Sequence, residues 1–249
     1  MEQRILVIVA HGSSSASSKK ATSLFTSQLQ IKGYSKIVGF LEKEKPSFEE
    51  ALENATTQAS KILVLPLLLF PARHYKTDVR AAIERTTTRH PGLSIQLLDV
   101  LGRGPDLSAL LQANAEAALT SMGPRPHGIA LVVPGRGASD AKARDEFLKT
   151  IRHLQAASSL WALVAPCFHS FAEPSPEQAL ERARTAGFRT LILQPCLIFP
   201  GGIFNGMKRQ ALDWARRFPE IRVGVGRPLC EAARWLDLIS FRIREAEGS

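Results

Sequence analysis

The sequence predicts an α/β protein of two tandem domains, each a four-stranded parallel β-sheet flanked by α-helices. In the first half, short apolar runs rich in β-branched residues alternate with helix-like segments. Such nearly continuous apolar runs are typical of parallel strands that are covered on both faces. The same alternation returns in the second half, which indicates duplication of a whole α/β domain.

Each half contains four predicted strands and four predicted helices in alternation. In the first half the strands are residues 5–9, 37–40, 62–69 and 95–100, and the helices are residues 14–31, 47–60, 76–88 and 106–121. In the second half the strands are residues 129–133, 161–165, 190–199 and 221–225, and the helices are residues 140–156, 176–186, 205–218 and 231–246. This order predicts a sheet with crossover helices in each half.

Individual segments of the two halves also match. Residues 65–71 (LPLLLFP) resemble residues 194–200 (QPCLIFP), and residues 101–103 (LGR) resemble residues 225–227 (VGR). A stretch rich in Gly and Pro separates the halves, which is typical of a linker. We therefore predict domains at 1–122 and 129–249, joined by a linker at 123–128.

The composition is that of an ordinary globular protein. Hydrophobic residues make up 45% of the 249 residues and charged residues 22%, which excludes collagen-like and intrinsically disordered chains. The three cysteines show no CxxC spacing, so a disulfide scaffold or a structural zinc site is not expected, and we expect a cytoplasmic location. No apolar run approaches the roughly 20 residues of a membrane span, so no membrane partner is expected.

The chain carries a net charge of +9 and has a pI of about 9.8. This excess indicates either an anionic partner or a solvated basic surface. The basic residues are scattered and form no nucleic-acid-binding motif, so we expect no nucleic acid partner.

Polar residues follow the first three predicted strands. His11 follows the first strand, Glu42 the second, and His74 the third, with Asp78 one helical turn further on. Ligands of open parallel sheets bind beyond the carboxyl ends of the strands, and imidazoles are good ligands for iron, cobalt and nickel. The pattern predicts a metal site at His11 and His74, with Glu42 as a further ligand or a proton acceptor.

The second half does not repeat this set. Comparison of the halves places Gly135 at the position of His11, Ile203 at that of His74 and Ser170 at that of Glu42. Cys167 and His169 lie at the matching strand end, either as a part of the site or as a buried thiol and a loop histidine. We expect one active centre per chain, in the first domain.

Other catalytic motifs are missing or incomplete. The sequence has no complete dinucleotide fingerprint, phosphate loop, HExxH motif or Gly-x-Ser-x-Gly elbow. A hydrolase that uses Ser13 and His11 is therefore an unfavoured alternative. We expect the serines at 13–15 to cap the first helix instead.

Together, these motifs resemble the CbiX/SirB family of class II chelatases, which insert a divalent metal into sirohydrochlorin. The segments that carry the resemblance are residues 9–13 (VAHGS), 40–42 (FLE) with Pro46-Ser47, 64–71 (VLPLLLFP), His74 and Asp78-Val79. The resemblance departs where Ser14, Ser15 and Ala16 replace the Arg and acidic residue common in the family, and where Arg73 replaces a small residue.

The resemblance implies two chelatase domains with the substrate in the cleft between them. It implies insertion of Co²⁺ or Fe²⁺, with Ni²⁺ also used by short relatives, in siroheme or cobalamin biosynthesis, and no organic cofactor. It assigns the metal to His11 and His74 and the acidic role to Glu42, so these three residues are the expected catalytic set. A tetrapyrrole or metal carrier with the same fold, which would not be catalytic, is the alternative.

Sirohydrochlorin carries many carboxylates, which gives the positive charge a role. Residues 1–124 include 14 basic and 11 acidic residues, and the remainder includes 18 and 12. We therefore expect the second domain to supply basic contacts, since arginine pairs well with carboxylates. The candidate substrate-binding residues are Ser13, Arg73, Lys76, Arg136, Lys208 and Arg209. We expect a monomer or a homodimer.

Overall fold

The computed structural model describes residues 4–71, 74–102, 105–123 and 128–248, apart from the side chains of His74, Lys76 and Pro105. The chain divides into two compact units. The first unit consists of Met1–Leu101 with Leu236–Ser249, and the second of Gly102–Trp235.

The first unit is built on a parallel sheet of four strands. These are β1 (Arg4–Ala10), β2 (Tyr34–Phe40), β3 (Lys61–Pro66) and β4 (Ser94–Leu97), in the order β2-β1-β3-β4. The crossovers contain α1 (Ala16–Gln28), α2 (Phe48–Thr56) and α3 (Arg80–Arg89), which follows a π-helical turn at His74–Val79. Residues 5–10 of the central strand β1 are buried, as expected for a strand with neighbours on both sides and helices on both faces.

The second unit repeats this sheet. Its strands are β5 (Ile129–Gly135), β6 (Trp161–Phe168), β7 (Thr190–Leu193) and β8 (Arg222–Val225), in the order β6-β5-β7-β8. Its helices are α4 (Pro105–Ser121), α5 (Ala141–Ala157), α6 (Pro176–Thr185) and α7 (Gly202–Arg217), with a short 3₁₀ turn at Leu229–Glu231. The predicted fold class, a parallel four-stranded sheet in each half, is confirmed.

Two helices pack with the opposite unit from the one that the sequence repeat predicts. Helix α4 belongs to the second unit, whereas α8 (Trp235–Ala246) from Leu236 onward belongs to the first. At the end of α8, Glu247 accepts a hydrogen bond from Tyr34 and pairs with Arg4. The compact units therefore differ from the predicted domains 1–122 and 129–249, because tertiary packing and not element order decides which sheet a helix covers. Residues 124–127 of the predicted linker 123–128 lie outside the described residues.

Three strands end earlier than predicted. β3 ends at Pro66, where the sequence predicted residue 69, β4 ends at Leu97, where it predicted residue 100, and β7 ends at Leu193, where it predicted residue 199. Proline lacks the N–H group that a strand needs to extend its ladder, so Pro66 and Pro195 limit the pairing even though apolar residues continue beyond them.

None of the helices in the described ranges has the length and apolar character that crossing a membrane requires.

Helix α2 begins with a capping box that fixes the loop after β2. The Ser47 side chain accepts from the Glu50 backbone N–H, and the Glu50 carboxylate accepts from the Ser47 N–H at 2.6 Å. A hydrogen bond from Lys45, followed by those from Ser47, lowers the pKa of Glu50 to about 2. Helix α6 repeats the box with Ser175 and Gln178.

Replacement of Glu50 by Gln tests the charge in this cap. The lowered pKa means that the ionised group contributes fully above pH 4.5 and loses its contribution as the pH falls toward about 2. In thermal melts, the variant is expected to have a lower melting temperature than the unmodified protein at pH 6. Near pH 2 the two melting temperatures are expected to become similar. Gln178 shows that an amide still closes the box, so the difference reports the charge. An equal difference at both pH values would contradict this account.

Candidate active site at the carboxyl edge of the first sheet

His11 and Glu42 are brought together by the backbone. β1 ends at Ala10, and the next residue, His11, accepts a hydrogen bond at its carbonyl from the Glu42 N–H at 2.9 Å. The Leu41 N–H donates to the Ala10 carbonyl at 2.9 Å in the same way. The ladder between β1 and β2 thus continues past the strands, so that the turn after β1 and the loop after β2 lie side by side at the carboxyl edge.

Gly12 makes this approach possible. Its φ of +85° lies in the left-handed region, and a Cβ at this position would overlap the carbonyl oxygen of Glu42. A side chain is therefore opposed both by the backbone conformation and by the neighbouring loop. The glycine of the His-Gly-Ser motif has a structural role, which is to allow His11 and Glu42 to share one edge.

Ser13 binds the same loop through its backbone. Its N–H donates to Glu44 Oε1 at 2.8 Å, and its Oγ accepts from the Ser15 N–H at 3.1 Å. Glu44 was not singled out from the sequence, although its position two residues after Glu42 was a usable signal.

The expectation that the serines cap α1 is wrong for Ser15. This residue occupies the N-cap position but makes no side-chain cap bond, and its hydroxyl contacts Ser17.

The imidazole of His11 is half-buried. Its Nδ1 lies 3.4 Å from the Gly12 carbonyl oxygen, at the long limit of a hydrogen bond, and its Nε2 is shielded from solvent. In a neutral imidazole one ring nitrogen can act as a metal ligand while the other carries the proton.

His74 begins the π-helical turn that precedes α3, and its side chain lies outside the described residues. π-helical turns are rare and are frequently found at functional sites. The next residue, Tyr75, is buried, and its hydroxyl lies 3.4 Å from both the Leu98 carbonyl and Asp99 Oδ1. Tyr75 therefore holds this turn against the end of β4, a role that its polar surroundings in the sequence did not reveal.

Within the described side chains, no group of three or more His, Cys, Asp or Glu residues is arranged to hold a metal ion. The predicted pair of His11 and His74 stays a prediction, since the imidazole of His74 is not among those side chains.

Cys167, at the end of β6 in the second unit, is not exposed to solvent, and burial raises the pKa of its thiol. A neutral thiol is a poor metal ligand, which favours the interpretation of Cys167 as a core residue.

The matching edge of the second unit corrects one predicted correspondence. Ala10 pairs with Phe40, and Gly135 pairs with Phe168. Gly135 is thus the counterpart of Ala10, and Arg136 is the counterpart of His11. The sequence comparison was displaced by one residue here because apolar and small residues flank both strand ends. The predicted match of Glu42 with Ser170 is in register, since the Ser170 N–H donates to the Arg136 carbonyl at 3.0 Å.

The other predicted substrate contacts lie in both units. Arg73 lies outside the described residues, and Lys76 lies on the π-helical turn with its side chain outside them. Lys208 and Arg209 are exposed on the second turn of α7. Arg136 directly follows β5 and is exposed at the carboxyl edge of the second unit.

The model of the CbiX family matches residues 5–118 and 130–246, which is nearly the whole chain and both of its halves. The chain belongs to the CbiX family.

Relatives and a solved structure agree with membership of the CbiX family. The sirohydrochlorin cobaltochelatase of Priestia megaterium is 22% identical over 183 residues, which cover 73% of this chain and 60% of that protein. The chain thus spans less than two thirds of that relative's length. The sirohydrochlorin ferrochelatase of Bacillus subtilis is 26% identical over 224 residues, covering 89% of this chain and 84% of the relative.

The structure titled SirB from Bacillus subtilis with Fe³⁺ has the same fold. It matches with a TM-score of 0.83 at 24% identity, covering 100% of this chain and 98% of that chain. This likeness agrees with the architecture of two tandem sheets described above.

Replacement of Gly12 by Ala tests the close approach of the two loops. We expect a loss of roughly 1–2 kcal/mol from the left-handed conformation and a further loss of about 1–3 kcal/mol from the overlap with Glu42. Gly33→Ala is the matched control, because Gly33 has a φ of +84° but nothing within 4 Å of an added Cβ. Denaturant unfolding of both variants measures the difference. Equal losses would mean that the loops can separate without cost.

Proposed function

We propose that the chain inserts a divalent metal ion into sirohydrochlorin and releases two protons. The observation that carries this proposal is the backbone-linked pair of His11 and Glu42 at the carboxyl edge of the first sheet, in a chain of the CbiX family. The names of the Priestia megaterium and Bacillus subtilis relatives support the same substrate and reaction.

Metal insertion exchanges two pyrrole N–H protons for one M²⁺ ion. The protein has to bind the ion, remove its water, present it to the ring and accept two protons. We assign the ion to the imidazoles of His11 and His74, because neutral histidine is both a ligand for such metals and a base near neutral pH. Glu42 acts beside His11 as a third ligand or as the proton acceptor.

Co²⁺ and Fe²⁺ are the proposed metals, with Ni²⁺ as a further candidate. Imidazole and carboxylate ligands bind all three ions. The order in which such ligands prefer the ions does not identify the metal that the protein uses in the cell. Side-by-side insertion assays with each ion, followed by the absorbance change of the ring, identify the preferred metal.

The proposed enzyme is cytoplasmic. All three cysteines are free thiols, two of them buried, and free thiols are typical of a reducing compartment. A monomer or a homodimer is the proposed assembly.

Replacement of either proposed metal ligand tests the reaction. His11→Ala and His74→Ala are each expected to lower the rate of Co²⁺ insertion by about 100-fold or more, as for loss of a group that acts in the chemical step. His153→Ala is the matched control, because His153 is exposed in the last turns of α5 and is not one of the proposed site residues, and it is expected to keep full activity. Full activity of the double His11/His74 variant would refute the proposal.

Glu42→Gln separates the two roles of the carboxylate. The amide keeps an oxygen ligand but cannot accept a proton. A rate that falls and recovers at higher pH indicates a proton acceptor, whereas weaker metal binding with no change in pH profile indicates a ligand. A carrier would bind ring and metal without accelerating insertion over a protein-free blank, and that outcome would replace the enzyme by a binding protein.

A further inference from the structure

The two sheets are in register at their carboxyl edges, so their residues can be compared one by one. After the outer strands, the Leu98 N–H donates to the Val64 carbonyl in the first unit, and the Gly226 N–H donates to the Leu193 carbonyl in the second. Leu98 is thus the counterpart of Gly226, and the next residue, Asp99, is the counterpart of Arg227. This register replaces the match of residues 101–103 with 225–227 that sequence similarity suggested.

The comparison reveals a reversal of charge. The edge of the first unit carries His11 with three carboxylates, which belong to Glu42, Glu44 and Asp99. At the corresponding positions the second unit carries Arg136, Ser170, Ala172 and Arg227. Every carboxylate of the set has been lost, and two arginines stand in the places of His11 and Asp99.

Buried amides hold the backbone of Arg227 in place. Gln194 is completely buried, and its Nε2 donates to the Arg227 carbonyl at 3.0 Å. Asn114 Nδ2 donates to the same carbonyl at 3.2 Å. A Cβ on Gly226 would overlap Gln194 Oε1, so glycine at 226 provides the space for Gln194.

This arrangement is specific to the second unit. In the first unit, leucines occupy the positions of Gln194 and Gly226, namely Leu65 and Leu98. Burial of an amide is costly unless it is hydrogen-bonded. A buried glutamine, a matching glycine and the Arg227 backbone that they hold together indicate a built feature of this edge.

The two edge arginines are free to bind an anion. Both Arg136 and Arg227 are exposed, and neither guanidinium has a hydrogen bond or ion pair to any residue in the described ranges. By contrast, Arg184, Arg216 and Arg217 of the same unit pair with carboxylates. The unpaired guanidinium groups lie where open parallel sheets bind their ligands.

An exposed aromatic ring lies at the same edge. Phe171 follows β6, is 69% exposed and has a φ of +67°. Its loop is joined to the turn after β5, because the Ser170 N–H donates to the Arg136 carbonyl and a Cβ on Gly137 would overlap the Ser170 carbonyl oxygen. An apolar ring of this size gains free energy when a ligand removes it from water.

We propose that this edge, defined by Arg136, Phe171 and Arg227, is the site that binds the carboxylate-bearing rim of the metal-free macrocycle. The identity of the ring rests on the proposed function, whereas the site itself rests on the second unit alone. The arginines pair with peripheral carboxylates, and Phe171 contacts the apolar face of the ring. Gln194 and Asn114 are positioning residues that hold the backbone of Arg227.

The spacing of the strands suits such a ligand. β7 lies between β5 and β8 in the sheet, so the backbone at Arg136 and the backbone at Arg227 are at least two strand spacings, or about 10 Å, apart. Two arginines attached at such separate points suit separate carboxylates on the rim of one large ring better than a single small anion.

Titration of the full chain with metal-free sirohydrochlorin tests the site without any metal. Arg136→Gln and Arg227→Gln are each expected to weaken binding roughly tenfold, since each removes a charge-assisted hydrogen bond, and the double variant is expected to weaken it further. The salt dependence of the dissociation constant is expected to decrease in each variant. Arg152→Gln removes the same charge from an exposed position on α5 and is expected to bind as the unmodified chain does.

Phe171→Ala tests the apolar contact separately. It is expected to weaken binding several-fold with unchanged salt dependence, because no charge is removed. Phe241→Ala, at another exposed aromatic, is the control. The methyl ester of the ring is expected to bind weakly and to be insensitive to both arginine substitutions, but to remain sensitive to Phe171→Ala.

The outcomes distinguish this inference from the proposed function. Weakened ring binding in the arginine variants supports the site, even if the unmodified chain does not accelerate metal insertion. Arginine variants that bind within twofold of the unmodified chain overturn the site, even if insertion by the unmodified chain is rapid. Absence of ring binding by the unmodified chain overturns it as well.

Discussion

The candidate active site depends on one backbone constraint, the close approach of the turn after β1 to the loop after β2. The Glu42 N–H reaches the His11 carbonyl, and the space between the loops admits only a glycine at position 12. This constraint places the backbones of His11 and Glu42 side by side at the edge where a parallel sheet binds its ligands. The chemistry proposed for the chain requires that pairing, because metal binding and proton removal have to occur at one point.

The second unit keeps the constraint and changes the chemistry. Gly137 has a φ of +84° and lies against the Ser170 carbonyl, as Gly12 lies against Glu42. The backbone of the edge is therefore alike in the two units, whereas the side chains that the second unit presents there are cationic and aromatic. One copy carries groups suited to a metal ion and the other carries groups suited to a polyanion, as the proposed reaction with two unlike substrates would require.

The strands, and the positions of His11 and Glu42 after two of them, could be predicted because they depend on local sequence, whereas the role of these residues in a site stays a prediction. Buried parallel strands leave continuous apolar runs, and His11 and Glu42 follow such runs directly. The exchange of α4 and α8 between the units was not predictable, since both helices have the same place in each repeat and only tertiary packing assigns them. Arg227 was missed for a related reason: its equivalence to Asp99 follows from hydrogen bonds between strands, not from sequence similarity.

X-ray absorption at the cobalt edge of the full chain loaded with one Co²⁺ tests the central claim most directly, because it counts the imidazoles bound to the ion without any dependence on turnover. The account predicts a spectrum with scattering from two imidazole rings, of which one is lost in the His11→Ala variant. A spectrum with oxygen ligands alone, unchanged by that substitution, would contradict it.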